Sequence, residues 1–138
     1  MKYLLDTNVC VDYLSGRHPP VVTRIQATAP SDLALSSVVV AELRYGADRS
    51  GRPGANHLRV DVLVTEIPSL AFDLEAAAAY GRLRARLEAR GTPIGPNDML
   101  IAAQALSRGL VIVTDNVREF SRVKGLSVET WRDATTRS

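Results

Sequence analysis

The sequence predicts an α/β domain with a mostly parallel central sheet flanked by helices. Short apolar runs alternate with helical patterns, and the clearest run, Leu110 to Val113, is β-branched and bounded by turn residues. Strands with this pattern are buried on both faces, as in sheets built from βαβ units. The 138 residues, 46% of them hydrophobic, suffice for one core. We expect one domain over residues 1–133 and a frayed tail over 134–138.

The first half of the chain predicts two strands and four helices. They are strand 3–5, helix 9–14, helix 19–29, strand 33–35, helix 37–46 and helix 55–63. Ser36 or Ser37 is the expected N-cap of the third helix. Val38 to Val40 could instead form a strand, but the helix formers that follow and the stop at Gly46 favour a helix. The polar stretch 48–56 contains Gly51, Pro53 and Gly54 and predicts a mobile loop.

The second half predicts a weak strand, a long alanine-rich helix and then alternating short elements. They are strand 65–68, helix 71–90, helix 99–108, strand 110–113, helix 117–122 and strand 126–129. Gly91 and Gly109 follow the two longer helices, where a left-handed C-terminal residue is common. Gly95-Pro96-Asn97-Asp98 is typical of a helix start.

Charge and cysteine content exclude some classes of site. Lys2 and Lys124 are the only lysines, so arginine supplies nearly all the positive charge behind a net charge of +2. Arginine suits phosphate recognition, but a codon preference for arginine explains the composition equally well. Cys10 is the only cysteine, which excludes an internal disulfide and a multi-thiolate zinc site. The apolar N-terminal stretch is too short for a signal peptide, so we expect a cytoplasmic protein.

Two carboxylates follow predicted strands and should therefore share one edge of the sheet. Asp6 follows the first strand directly, and Asp115 comes two residues after the strand 110–113. In parallel sheets, the functional crevice lies beyond the carboxyl ends of the strands. The strand pattern alone thus places Asp6 and Asp115 in that crevice.

Two further carboxylates are candidates whose position the pattern leaves open. Asp98 starts a helix, where a plain N-cap is the alternative role, and no clear strand directly precedes it. Glu42 lies among apolar helix residues, so it either pairs with Arg44 or Arg49 in solvent or points at a partner. If all four acids converge, their repulsion requires a cation, and oxygen ligands select Mg²⁺ or Mn²⁺. Such a centre hydrolyses phosphodiesters without a covalent nucleophile.

Four sequence blocks resemble those of PIN-domain ribonucleases, in particular the VapC toxins of prokaryotic toxin–antitoxin modules. The blocks are Leu5-Asp6-Thr7-Asn8, Ser37 with Ala41-Glu42-Leu43-Arg44-Tyr45-Gly46, Pro96-Asn97-Asp98-Met99-Leu100-Ile101-Ala102-Ala103, and Val113-Thr114-Asp115-Asn116 with Arg118-Glu119-Phe120. They occur in the family's order and span nearly the whole chain. The resemblance implies a Rossmann-like three-layer fold in which Asp6, Glu42 and Asp98 meet.

The resemblance also implies roles for individual residues. Asp6 and Asp98 match the family's firmest metal ligands, and Glu42 and Asp115 complete the predicted catalytic set. Many relatives carry the fourth acid at the position of Asn116, so either Asp115 contacts the metal through water or Asn116 takes that place. Hydroxyl and amide contacts around the cluster are expected from Thr7, Asn8, Ser37, Thr114 and Asn116. Phosphate contacts are expected from Arg17, Arg44, Arg49, Arg52 and Arg118.

The family's activity implies an endoribonuclease that uses Mg²⁺, or Mn²⁺ in its place, to cut tRNA or ribosomal RNA loops. Homodimers and inhibition by a VapB-type antitoxin are implied as well. The alternatives are an RNA-processing PIN nuclease without an antitoxin and a silent PIN module that only binds RNA or protein. A dehalogenase-type phosphatase would need an acid where Asn8 stands. A response-regulator receiver would need a lysine at a strand end, which Lys124 does not provide.

Overall fold

The computed structural model describes residues 1–132 and contains one five-stranded, entirely parallel sheet. The strands are β1 (Tyr3–Leu5), β2 (Leu33–Ser36), β3 (Ser69–Leu70), β4 (Val111–Val113) and β5 (Val128–Glu129). Their spatial order is β3-β2-β1-β4-β5. The predicted α/β class and parallel sheet are confirmed. Residue 133 and the predicted tail, 134–138, lie outside the described residues.

Seven helices connect the strands of the described chain. They are α1 (Thr7–Ser15), α2 (Pro19–Gln26), α3 (Ser37–Arg49), α4 (Pro53–Glu66), α5 (Leu74–Ala89), α6 (Pro96–Arg108) and α7 (Val117–Phe120). Helices α5 and α6 pack together, as do α3 and α4. Every residue of β1 and β2 is buried, so helices cover both faces of the sheet.

Two local predictions were wrong. The stretch 48–56, predicted as a loop, contains the end of α3 and the beginning of α4, because Pro53 occupies the first helical turn, where its missing N–H costs nothing. The weak strand predicted over 65–68 is instead the end of α4, and β3 follows at Ser69–Leu70. The alternative of a strand at Val38 to Val40 is also excluded, since these residues lie in α3.

The strand register brings the carboxyl ends of the three central strands to one level. Leu5 of β1 lies opposite Leu35 of β2 on one side and Val113 of β4 on the other. The chain passes from β1 to β2 on one side of it and later forms β4 on the other side. The order in which the strands are connected therefore reverses at β1, although all strands remain parallel. Crevices open at such reversal points. Asp6, the residue that follows β1, therefore stands at the floor of the expected crevice.

Candidate active site

Asp6 is a buried carboxylate at the N-terminus of α1. Only 4% of its surface is exposed. Its Oδ1 accepts a hydrogen bond from the Thr7 backbone N–H (2.8 Å), and its Oδ2 accepts one from Thr114 Oγ1 (2.8 Å). Burial raises the pKa of Asp6, the two hydrogen bonds oppose the rise, and the charges of Glu42 and Asp115 add to it. The sequence placed this residue correctly at the edge of the sheet.

Glu42 is held against the beginnings of α1 and α6. Thr7 Oγ1 donates a hydrogen bond to its Oε1 (2.5 Å), and Asn97 Nδ2 donates one to its Oε2 (3.2 Å). The alternative in which Glu42 pairs with Arg44 does not hold, because Arg44 reaches Asp61 on α4 at 2.6 Å. Glu42 therefore points at the crevice from α3.

Asp98 lies in the first turn of α6, close enough to the other acids for their charges to act on it. The N-cap of α6 is Gly95, which has no side-chain cap, so Asp98 is not a plain N-cap. Burial, followed by repulsion from Asp6, Glu119 and Glu42, raises its pKa to about 6, and the Asn116 amide opposes the rise. A Cβ at Gly95 would lie 3.2 Å from Asp98 Oδ2, so a larger residue there would crowd the carboxylate.

Asp115 belongs to the same edge but is occupied by other partners. Asn8 Nδ2 donates to its Oδ1 (3.2 Å), and Arg132 forms an ion pair with its Oδ2 at 2.7 Å. Arg132 also donates two hydrogen bonds, at 2.7 and 3.0 Å, to the buried carboxylate of Asp12. The guanidinium thus joins the end of the described chain to α1 and to the fourth acid.

Sequence reasoning missed Glu119 and the pair formed by Asp12 and Arg132. Glu119 accepts a hydrogen bond from Asn116 Nδ2 (3.0 Å), and its charge acts on Asp98. Its position in the last resemblance block was a usable signal. Arg132 meets Asp12 across 120 residues, and no local pattern announces such a pair.

The other predicted site residues divide into those at the cluster and those beside it. Side-chain hydrogen bonds to the acids come from three of them: Thr7 donates to Glu42, Asn8 to Asp115 and Thr114 to Asp6. Thr114 Oγ1 also accepts a hydrogen bond from the Asn116 backbone N–H (2.9 Å). Ser37 is exposed, and the N-cap of α3 is Ser36, whose hydroxyl accepts from the Val38 backbone N–H.

The predicted phosphate-binding arginines are spread around the crevice. Arg17 lines a groove of about 380 Å³ that also includes Thr7 and Glu42. Arg44 is committed to Asp61 and to the backbone carbonyl of His57, and Arg49 donates to the hydroxyl of Tyr45. Arg52 and Arg118 are exposed at the starts of α4 and α7.

The donor set fits a hard divalent cation that keeps part of its water. Asp6, Glu42 and Asp98 lie near enough for their charges to act on one another, and this repulsion adds to the burial that raises the pKa of the two aspartates. Within residues 1–132, no three acidic, histidine or cysteine side chains lie close enough together to hold a metal ion on their own. Mg²⁺ tolerates this, because one or two carboxylates commonly hold it and waters supply the remaining oxygens.

Comparison with known proteins identifies the family. Residues 3–126 match the family model described as "PIN domain". The "tRNA(fMet)-specific endonuclease VapC" of Salmonella typhimurium is 39% identical over 95% of this chain and 98% of its own length. The chain belongs to the VapC ribonucleases of the PIN-domain family. The predicted recognition and the predicted class of enzyme, a nuclease, are confirmed.

Solved VapC structures share the whole architecture. The crystal structure of DNA-bound VapBC from Salmonella typhimurium superposes with a TM-score of 0.90 at 38% identity, covering 95% of this chain and 98% of that one. VapBC-5 of Mycobacterium tuberculosis, described as a member of the VapBC family of toxin–antitoxin systems, gives a TM-score of 0.68 at 29% identity, covering 96% and 98%. The predicted Rossmann-like PIN fold is therefore confirmed. Nucleases of this fold use divalent metal ions.

Proposed function

We propose that this protein is the endoribonuclease toxin of a toxin–antitoxin pair and that it cuts structured RNA, such as tRNA or ribosomal RNA loops, with Mg²⁺. The observation that carries the proposal is that Thr7 hydrogen-bonds both Asp6 and Glu42, while Asn97, the residue before Asp98, also hydrogen-bonds Glu42. Family membership supports the nuclease activity, and the VapBC neighbours support an antitoxin partner. The expected setting is cytoplasmic. No described helix has the length and apolar character needed to cross a bilayer.

Some residues of the site would hold the cation, and others orient the carboxylates. Asp6 and Asp98 would hold the ion, and Mn²⁺ would replace Mg²⁺ because both accept the same oxygen donors. A bound divalent ion supplies Lewis acidity, which stabilises charge on a phosphodiester and acidifies water. Thr114 and the Thr7 backbone orient the Asp6 carboxylate, and Thr7 and Asn97 orient Glu42. Asp115 would support the site without binding the ion directly, because its two carboxylate oxygens already contact Asn8 and Arg132.

The substitution Asp6→Asn tests this function. It removes the charge while keeping nearly the same shape, so we expect the fold to survive and Mg²⁺-dependent RNA cleavage to fall by at least a hundredfold. Cleavage is measured on total tRNA with and without EDTA, and folding is measured by circular dichroism.

The matched control is Asp32→Asn, which alters an exposed aspartate immediately before β2, at the opposite edge of the sheet. It should cleave like the wild type. Unchanged cleavage by folded Asp6→Asn, or full activity in EDTA, would refute the carboxylate mechanism.

A further inference from the structure

Four cationic side chains gather on α5 and on the segment after α7, forming what we call the basic patch: Arg82, Arg86, Arg122 and Lys124. Arg82, Arg86 and Lys124 line a shallow groove of about 250 Å³. Arg86, Arg122 and Lys124 line a second, smaller hollow beside it. Neither the groove nor the hollow has an acidic residue among its described lining residues. The local charge is therefore strongly positive in a chain whose net charge is only +2.

Most of these cations form no ion pair with any residue that the structure describes. Within residues 1–132, Arg82, Arg86 and Lys124 take part in none of the salt bridges, whereas Arg84 on the same helix pairs with Glu88 at 3.0 Å. Arg82 and Arg86 are four residues apart on α5, where like charges destabilise a helix. An external anion would relieve this repulsion. Arg122 donates one N–H to the Pro93 carbonyl (2.9 Å), which leaves its other donors for a partner.

The basic patch is linked to the carboxylates by two short paths. Ser107 lines the groove, and Asp98 lies nine residues earlier on the same helix, α6, which is an axial separation of about 14 Å at the α-helical rise. The second path runs from Glu119 beside Asp98 through the following turn to Arg122 and Lys124.

We propose that the basic patch binds the sugar–phosphate backbone of the RNA substrate at nucleotides that lie beyond the cleaved bond. This inference rests on the proposed ribonuclease function and adds a preference for RNA that extends beyond the cut. The apolar floor formed by Ala79, Leu83 and Leu106 lies under cationic rims. That arrangement suits a ribose between two phosphates.

The triple variant Arg82→Gln, Arg86→Gln, Lys124→Gln tests the proposal on the full-length protein. Binding of a folded RNA of tRNA size, in EDTA to prevent cleavage, is followed by fluorescence anisotropy over a salt series. Each lost phosphate contact should lower the slope of log affinity against log salt by about 0.7 to 0.9, so we expect a total decrease of about two. In Mg²⁺, KM for the folded RNA should rise at least tenfold, while cleavage of a six-nucleotide RNA should be unchanged.

The matched control is the double variant Arg84→Gln, Arg108→Gln. These arginines already pair with Glu88 and Asp73, so the salt slope and KM should stay at wild-type values. A wild-type salt slope in the triple variant, or an equal loss in the control, would overturn the inference. Equal loss on the six-nucleotide RNA would also overturn it, because the patch would then act on the catalytic centre. A wild type that cleaves neither RNA would instead refute the proposed function.

Discussion

At the scale of one residue, Asp98 illustrates the electrostatic cost of burying a carboxylate close to other acids. Burial and the neighbouring carboxylates raise its pKa to about 6, from 3.8 for an ordinary aspartate. Below about pH 4 the group is protonated in both the folded and the unfolded chain. Between about pH 4 and 6 the folded chain keeps the proton more tightly, and this contribution to stability is lost as the pH rises through 6. At neutral pH the metal-free protein therefore carries a penalty at this position.

The substitution Asp98→Asn should stabilise the metal-free protein at pH 8. The neutral amide removes the cost of burying a charge as well as the repulsion, so we expect a gain of about 1–2 kcal/mol, after allowance for solvent screening at a partly exposed group. The gain should shrink as the pH falls from about 6 to 4, because the wild-type carboxyl becomes neutral. Urea unfolding in EDTA at several pH values measures it.

Asp32→Asn, at an exposed aspartate outside the carboxylate cluster, again provides the comparison. A constant difference between Asp98→Asn and wild type across pH 4 to 8 would contradict the raised pKa.

Helix α6 shows at the scale of elements how the ends of the strands are fixed. Gln104 is 2% exposed, and its Nε2 donates to the carbonyls of Leu70 and Ala71, both at 3.1 Å. Its Oε1 accepts from Ser36, whose hydroxyl also caps α3 by accepting from the Val38 backbone N–H. One amide thus joins α6, the end of β3 and the beginning of the helix that carries Glu42.

The substitution Gln104→Leu should destabilise the fold by about 2–4 kcal/mol. Leucine fills a similar volume but leaves a buried hydroxyl and two carbonyls without this partner, and each unsatisfied group costs about 1–3 kcal/mol. Equilibrium urea unfolding measures the change. Gln26→Leu, on the exposed end of α2, is the control and should change stability by less than about 0.5 kcal/mol. A similar small effect at Gln104 would show that the network does not hold these elements.

Helices that glycine or proline delimits, or in which apolar residues recur with a regular spacing over many positions, could be predicted from the sequence. Elements that form only by pairing with a distant part of the chain could not. Gly91 and Gly109 adopt left-handed backbone conformations after α5 and α6, as their positions in the sequence indicated. The two-residue strand β3 exists because it pairs with β2, which no local pattern specifies. The side chain of Gln104, read as an ordinary helix residue, likewise gains its role only from partners 34 and 68 residues away.

The same distinction applies to the site. Asp6 and Asp115 follow strands, so the sheet alone predicted their edge, whereas Asp98 was placed only through the family resemblance. Its arrival at the crevice depends on the packing of α5 against α6, which returns the chain to the carboxyl edge of the sheet. Arg132 could not be foreseen at all, because its partners lie on α1 and beyond β4.

At the scale of the whole molecule, the fold gathers acids from four distant segments around the end of β1, and this arrangement opposes its own stability. Burial, with repulsion from the neighbouring acids added to it, raises the pKa of Asp6 and of Asp98, so a divalent cation should stabilise the protein by binding only the folded state. At a Mg²⁺ concentration 100-fold above its Kd, the gain is about 2.7 kcal/mol. For a chain of this length, this corresponds to a rise in Tm on the order of 8 °C.

Differential scanning calorimetry in EDTA and in Mg²⁺, at constant ionic strength, measures this rise. Asp6→Asn and Asp98→Asn should each lose most of the Mg²⁺ response, because each removes a charged ligand and part of the repulsion that the ion neutralises. The patch variant Arg82→Gln, Arg86→Gln, Lys124→Gln should keep the full response, since its residues lie on α5 and after α7 and are not among the carboxylates that would hold the ion. The same rise in Tm in both aspartate variants would mean that the ion binds elsewhere. The gathered carboxylates would then have no cation to offset their repulsion.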